Sequence, residues 1–328
     1  MKNALLAACL FPLAASLSGP TWAEDTASAS SKELRTASTS SSVEGRFKDG
    51  LAFVYQRNKP AGSACVSPSA CYFHPLATPS GIVITDVAPD DHLHHRGLFF
   101  AWLVVRNADT AGDFWGWGKD APLEDRLIVN RDVSDLAAEE ETIRFTAHND
   151  WTAGKEPSTV LLQETLTASV SQSSEARVYD LAYRFDAPAD VTLGQQAFSG
   201  FALRTRKDAP ITVHDPAGPV TLAPPSHLDP KSDWPDRPWY AFELALPEGK
   251  KAGAAVLNHP GNPPTLWHNV AAIGLLNPCI VAPSDVAIPA GKPLILRYRV
   301  ILFDGAVPAA LLNQEAETFA KTSPTPKK

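Results

Sequence analysis

From residue 51 to residue 303 short runs of β-branched and aromatic residues follow one another between turns rich in proline and glycine, and this rhythm restricts the fold more than any other feature. The spacing predicts strands at 51–56, 82–86, 98–106, 127–132, 142–150, 160–172, 177–185, 198–206, 239–246, 254–258, 272–276 and 294–303. Alternation is plain in Leu294-Ile295-Leu296-Arg297-Tyr298-Arg299-Val300, where Arg297 and Arg299 share a face with Ile295, opposite Leu296 and Tyr298. The runs 160–172 and 177–185 flank Ser173-Ser174-Glu175-Ala176 and read as a long hairpin. Only 308–321 reads as a helix, with Ala310, Leu311, Leu312, Ala316 and Phe319 as its apolar residues and Pro308 in its first turn. Twenty-nine prolines, eight tryptophans and a single methionine suit a loop-rich all-β protein. So many strands must cover one another's apolar faces, which implies a two-sheet antiparallel sandwich with a short C-terminal helix.

The ends carry a different composition. Lys2, an apolar stretch from Ala4 to Leu17 and Thr21-Trp22-Ala23 before Glu24-Asp25 form the pattern of a secretory signal peptide, residues 1–23. Residues 24–43 read as a flexible leader, 44–321 as one β-sandwich domain and 322–328 as a flexible tail. The expected location is periplasmic or secreted. No run approaches the ~20 apolar residues of a membrane helix. A net charge of −7 without long runs of one sign argues against nucleic acid or anionic membrane as partners. Cys65 and Cys71 enclose a short turn-like segment and are the natural pair for a disulfide in an oxidising compartment, with three free thiols as the alternative.

Chemistry concentrates in Asp90-Asp91-His92-Leu93-His94-His95-Arg96-Gly97, between two apolar runs, where three of nine histidines fall together. In an extended chain His92 and His94 share a face and His95 points away. That pair could supply two nitrogens to one divalent cation, with His74, His259, His268, Asp90 or Asp91 completing the set. Without a metal, one imidazole serves as general base while Arg96 grips a carboxylate. The plainer alternative is an Asp–Arg pair in a turn with histidines filling polar gaps. Gly97 suggests a turn or a close backbone approach.

A second cluster, Asn258-His259-Pro260-Gly261-Asn262-Pro263-Pro264-Thr265-Leu266-Trp267-His268, joins polar groups to an aromatic face in a rigid loop, a combination that suits a sugar ring or an ordinary proline-rich turn. Trp115 and Trp117 between glycines could line a groove or close the sandwich end. Arg204 is a second candidate to hold an anion, or one half of a surface ion pair. Glu164 has Leu162 and Leu166 on its own face, which implies either a buried carboxyl of raised pKa, fit for a general acid, or an exposed edge position. The chain has no Gly-rich nucleotide loop, no Gly-x-Ser-x-Gly elbow and no His-Glu-x-x-His.

Taken in order, Tyr72-Phe73-His74-Pro75-Leu76, the His92–Gly97 cluster with Leu98-Phe99-Phe100-Ala101-Trp102, Asp113-Phe114-Trp115, Gly200 to Arg204, His259-Pro260-Gly261-Asn262-Pro263, Trp267-His268 and Ala290-Gly291-Lys292-Pro293-Leu294 make the chain resemble the PmoA-like family over roughly residues 50 to 305. Leu93 stands where that family has proline. The resemblance implies a galactose mutarotase-like β-supersandwich, a fold whose members act on sugars with His, Glu, Arg or Tyr in acid/base roles. The name's allusion to a methane monooxygenase subunit conflicts with the lack of a spanning segment. The expected function is therefore that of an exported carbohydrate-active enzyme, a lyase, hydrolase or epimerase of a sugar or uronate. His92, His94, His95, Glu164 and His259 are the expected catalytic residues. His74, Arg96, Trp115, Arg204, Asn262, Trp267 and His268 are expected to bind substrate. The alternatives are a non-catalytic sugar-binding module resting on Trp115, Trp117 and Trp267, and a metal-dependent oxygenase.

Overall fold

The computed structural model describes residues 34–117, 125–139, 141–154 and 158–322. The expected signal peptide lies outside them. Two large antiparallel sheets dominate the described residues. One orders seven strands as Arg35–Ser38, Ser42–Phe47, Gly50–Gln56, Tyr72–Leu76, Leu98–Ala101, Gly200–Arg204 and Leu275–Leu276. The other orders nine as Gly218–Pro219, Ile211–Asp215, Trp239–Ala245, Lys251–Asn258, Leu294–Asp304, Ala176–Asp186, Thr159–Gln172, Thr142–Ala153 and Arg126–Glu139. The expected hairpin is present, with Gln172 opposite Arg177 at its turn. No helix among the described residues is long and apolar enough to cross a membrane.

Aromatic side chains lock the facing surfaces together. Phe100 meets Tyr183 at 4.8 Å and Phe185 at 5.0 Å between ring centroids, and Phe201 stacks on Tyr298 at 4.1 Å. Such pairs add roughly 0.5–1.5 kcal/mol each beyond the area they bury. A buried cation also ties the sheets. Arg177, from the nine-stranded sheet, donates to the carbonyls of Leu51 and Ala77 at 2.8 Å each and pairs with Asp49 at 2.8 Å.

The nine-stranded sheet is covered on its outer face too. Helix Ala309–Ala320, as expected at the C-terminal end, buries Leu312 and Phe319 against Trp239, Leu257, Ile301 and Phe303. Arg299 pairs with Asp180 and Glu315, and the Trp239 indole donates to Asn313.

Several expectations need correction. The leader expected over 24–43 gives way to a strand at Arg35–Ser38, paired with Ser42–Phe47, so the domain begins before residue 44. This edge strand is mostly exposed and held by backbone pairing, and it leaves no apolar signature. Residues 82–86 make only isolated bridges, while Tyr72–Leu76, with a proline inside it, is a true strand. The three described cysteines are free. Cys71 turns its sulfur toward the Ile128 carbonyl, 3.8 Å away.

Candidate functional site

Phe100 and Phe201 point into the sandwich, so alternation turns Phe99, Ala202 and Arg204 to the outer face of the seven-stranded sheet. Loops gather over that face and enclose a hollow lined by His92, His95, Trp115, Trp117, Phe198, His227, His268, Val270, Ile273 and Leu275. It is tight, at about 20 Å³, which is room for one water or one hydroxyl group. Trp117, 44% exposed, and His227 stand at its mouth, 5.7 Å apart between ring centroids.

The histidine loop is a turn, not the extended segment expected. The His92 amide donates to the Pro89 carbonyl and the His95 amide to the His92 carbonyl. His92 therefore stacks on His95, with centroids 4.6 Å apart and planes at 18°, while His94 stands edge-on at 5.6 Å from His92. Gly97 permits the exit to the next strand: its φ is +69°, and a Cβ there would meet the Phe73 carbonyl oxygen at 2.3 Å.

Two imidazoles of the hollow rest on carboxylates. His92 Nδ1 lies 2.9 Å from Asp91, and His268 Nδ1 lies 2.7 Å from Asp233. A carboxylate only accepts, so Nδ1 carries the proton in both and Nε2, which has no hydrogen-bond partner among the described residues, offers its lone pair. The two carboxylates differ. Burial alone would raise Asp91, but hydrogen bonds from Lys207, His92 and Arg204 hold it well below the usual range. Burial raises Asp233, an effect its bond to His268 through Oδ1 offsets in part, and Oδ2 has no hydrogen-bond partner among the described residues.

His95 is the opposite case. Arg204 donates to its Nδ1 at 3.2 Å, and a guanidinium cannot accept, so the ring proton is on Nε2. Burial, with His94, Arg204 and His92 close by, keeps this ring neutral. His94 is pushed down to about 3, first by burial and then by His92 and the two arginines. It is buried beside the hollow and does not line it.

The remaining candidates lie elsewhere. Arg96 is wholly buried, donates to the His94 and Phe114 carbonyls and covers the Phe99 ring at 4.7 Å. Arg204 bonds Asp91 at 2.9 and 3.0 Å and also His95, and neither guanidinium is among the residues that line the hollow. His74 bonds Thr85 at 2.9 Å outside the hollow. Glu164 is buried, and burial pushes it up to about 7, but it sits in the sandwich interior on the Asn149 amide and the Trp151 indole. His259 lies under the C-terminal helix: Gly261 N–H donates to Nδ1, Arg297 presses on Nε2 at 2.8 Å, and Phe319 packs edge-on at 5.0 Å. Asn262 ties the same loop to Asn258 and Arg297. Trp267 is buried against Tyr240.

Asp233 and His227 carry no sequence signal. Asp233 reaches His268 because Trp234 pairs with Trp267 across the chain, a long-range bridge. Among the described residues no three His, Cys, Asp or Glu side chains converge as a metal needs, and His92 stacks on His95 instead of sharing a face with His94.

The architecture defines a mostly β protein of several antiparallel sheets, two of them large. The chain belongs to the family described as "Family of unknown function (DUF6807)", matched over residues 43–317. The PmoA-like assignment is thereby corrected. No curated protein matches the sequence. Among solved structures it is similar to a putative aldose 1-epimerase from Klebsiella pneumoniae subsp. pneumoniae MGH 78578, at 9% identity and TM-score 0.41, covering 88% of this chain and 87% of that one. A galactose mutarotase-like protein from Lactobacillus casei ATCC 334 gives 10% identity and TM-score 0.36, covering 82% and 99%. A GH36 alpha-galactosidase from Geobacillus stearothermophilus gives 10% identity and TM-score 0.40 over 82% of this chain, which spans only 39% of that enzyme.

Proposed function

We propose that this protein is a carbohydrate-active enzyme that moves protons on a neutral sugar, with opening and reclosure of an aldose ring as the reaction its hollow suits. One observation carries the reading: two imidazoles, each steadied at Nδ1 by a carboxylate, present free Nε2 atoms to one small cavity. The cavity admits one oxygen-bearing edge, and the rest of the ring would lie on Trp117 and His227 at the mouth. His268 takes the proton from the anomeric hydroxyl as C1=O forms and the C1–O5 bond breaks. His92, once a proton from water has been taken up at its open Nε2, gives that proton to O5. Reclosure on the other face returns both protons, so no co-reactant is consumed.

The lining narrows the alternatives. Among the described residues that line it there is no Lys or Arg to neutralise a uronate, which weighs against the lyase expectation. Nor do the described lining residues include a pair of Asp or Glu side chains of the kind most glycosidases use. The signal-like N-terminus makes the periplasm or exterior the proposed place of action.

Anomer exchange of D-glucose and D-galactose, followed by NMR on the purified protein, tests this. Acceleration over buffer that His268→Ala and His92→Ala abolish is expected. A folded wild-type protein that accelerates no aldose in a panel overturns it. The exposed Trp117 favours a second reading, a sugar-binding module, in which Trp117→Ala removes binding and both histidine variants retain it.

A further inference from the structure

We infer that His95, with Trp115 beside it, is a fixed hydrogen-bond donor in the floor of the hollow, holding the ligand oxygen on which negative charge develops. The inference rests on the reading of the hollow as a sugar site and extends it to two residues that transfer no proton. Its basis is a contrast in tautomers. His92 and His268 give their Nδ1 protons to carboxylates and face the hollow as acceptors. His95 receives a hydrogen bond at Nδ1 from Arg204 and faces it as a donor through Nε2–H.

Arg204 is itself wholly buried and anchored on Asp91, so the donor state of His95 is built into the fold. Trp115 lines the same cavity, packs edge-on to His95 at 5.8 Å with planes at 89°, and is fully buried. Its indole N–H has no partner among the described residues. A buried donor left unpaired is costly, and a ligand oxygen would satisfy it. The pattern is thus two acceptors beside two neutral donors. It selects a ligand edge that sets an acceptor oxygen beside a hydroxyl, as O5 and the C1 hydroxyl in an aldose hemiacetal or the C1 carbonyl and the C2 hydroxyl in its lactone. Neutral donors serve this purpose because they stabilise a growing oxyanion without handing over a proton.

The test has one arm that needs no turnover. Long-range proton–nitrogen NMR of the labelled full chain should show His95 as the Nε2–H tautomer from pH 5 to 8, with its resonances shifting on titration with glucono-1,5-lactone. An Nδ1–H tautomer, or resonances that ignore saturating lactone, overturns the inference even if aldoses are turned over. The kinetic arm compares His95→Phe, which keeps the ring shape, with His95→Gln, which restores a donor near the Nε2 position. His95→Phe should lose tenfold or more in kcat with little change in KM, and His95→Gln should recover most of it. A His95→Phe enzyme within twofold of wild type overturns the inference. Should no aldose react while the tautomer and the lactone shifts are as expected, the donor role stands and the proposed reaction falls.

Discussion

His259 and His268 stand in the same loop, both buried and both flagged by the sequence, yet they end in unlike surroundings. His268 meets a carboxylate at Nδ1 and keeps Nε2 for the hollow. His259 has both ring nitrogens occupied, by the Gly261 amide and by Arg297, and its pKa is lowered first by burial and then by that guanidinium. The lesson is that the partner decides the use. A carboxylate orients an imidazole and leaves it basic, whereas a guanidinium takes up its lone pair.

The sharpest way to break this contrast is to remove His268. His268→Ala should cost about 10³-fold in anomer exchange, within the range for losing a general base, and Asp233→Asn a smaller but clear factor. Circular dichroism should show both variants folded. Equal loss from His259→Ala would abolish the distinction.

Glu164 sharpens the comparison from a third place, a buried carboxyl with no imidazole. Its folded pKa, about 7, exceeds the ordinary 4.5, so the folded chain binds its proton more tightly than the unfolded chain. The stability it contributes is complete below about pH 4.5 and is lost as pH rises through about 7, a change of order 3 kcal/mol. Urea titrations across that window should show the decline in wild type and a flatter profile in Glu164→Gln. An unchanged slope would mean that the carboxyl is not sealed in the interior.

His259→Ala should lower stability by about 1–2 kcal/mol through lost packing on Phe319 and the lost bond from Arg297 to the ring. Its rate of anomer exchange should stay at the wild-type value. Trp117→Ala, at the mouth, should have the mildest effect, weakening sugar affinity by about 1 kcal/mol while leaving the melting temperature unchanged.

Much of this was legible from the chain. The alternating runs marked most long strands, and Pro308 with its apolar followers marked the helix. The histidine cluster marked one wall of the hollow. What escaped detection depended on distance along the chain or on local geometry. Asp233 joins His268 only through the Trp234–Trp267 pairing. The spacing pairs His92 with His94 only in an extended segment, and the Pro89–His95 turn makes His95 the partner instead. Arg96 and Arg204 suggested anion binding, but a short polar turn over an apolar sheet needs internal cations of its own, and both are consumed there. Glu164 was readable as buried from Leu162 and Leu166; that the cavity lay on the other side of the sheet was not.

The C-terminal helix has a consequence for how the molecule keeps company. It lies over Trp239, Ile301 and Phe303, an oily strip on the side of the large sheet turned away from the sandwich. Were the chain cut before Pro308, that strip would meet water in every copy, and two copies could shield it by coming together face to face. The final helix thus works as a fitted cover that keeps this strip from water.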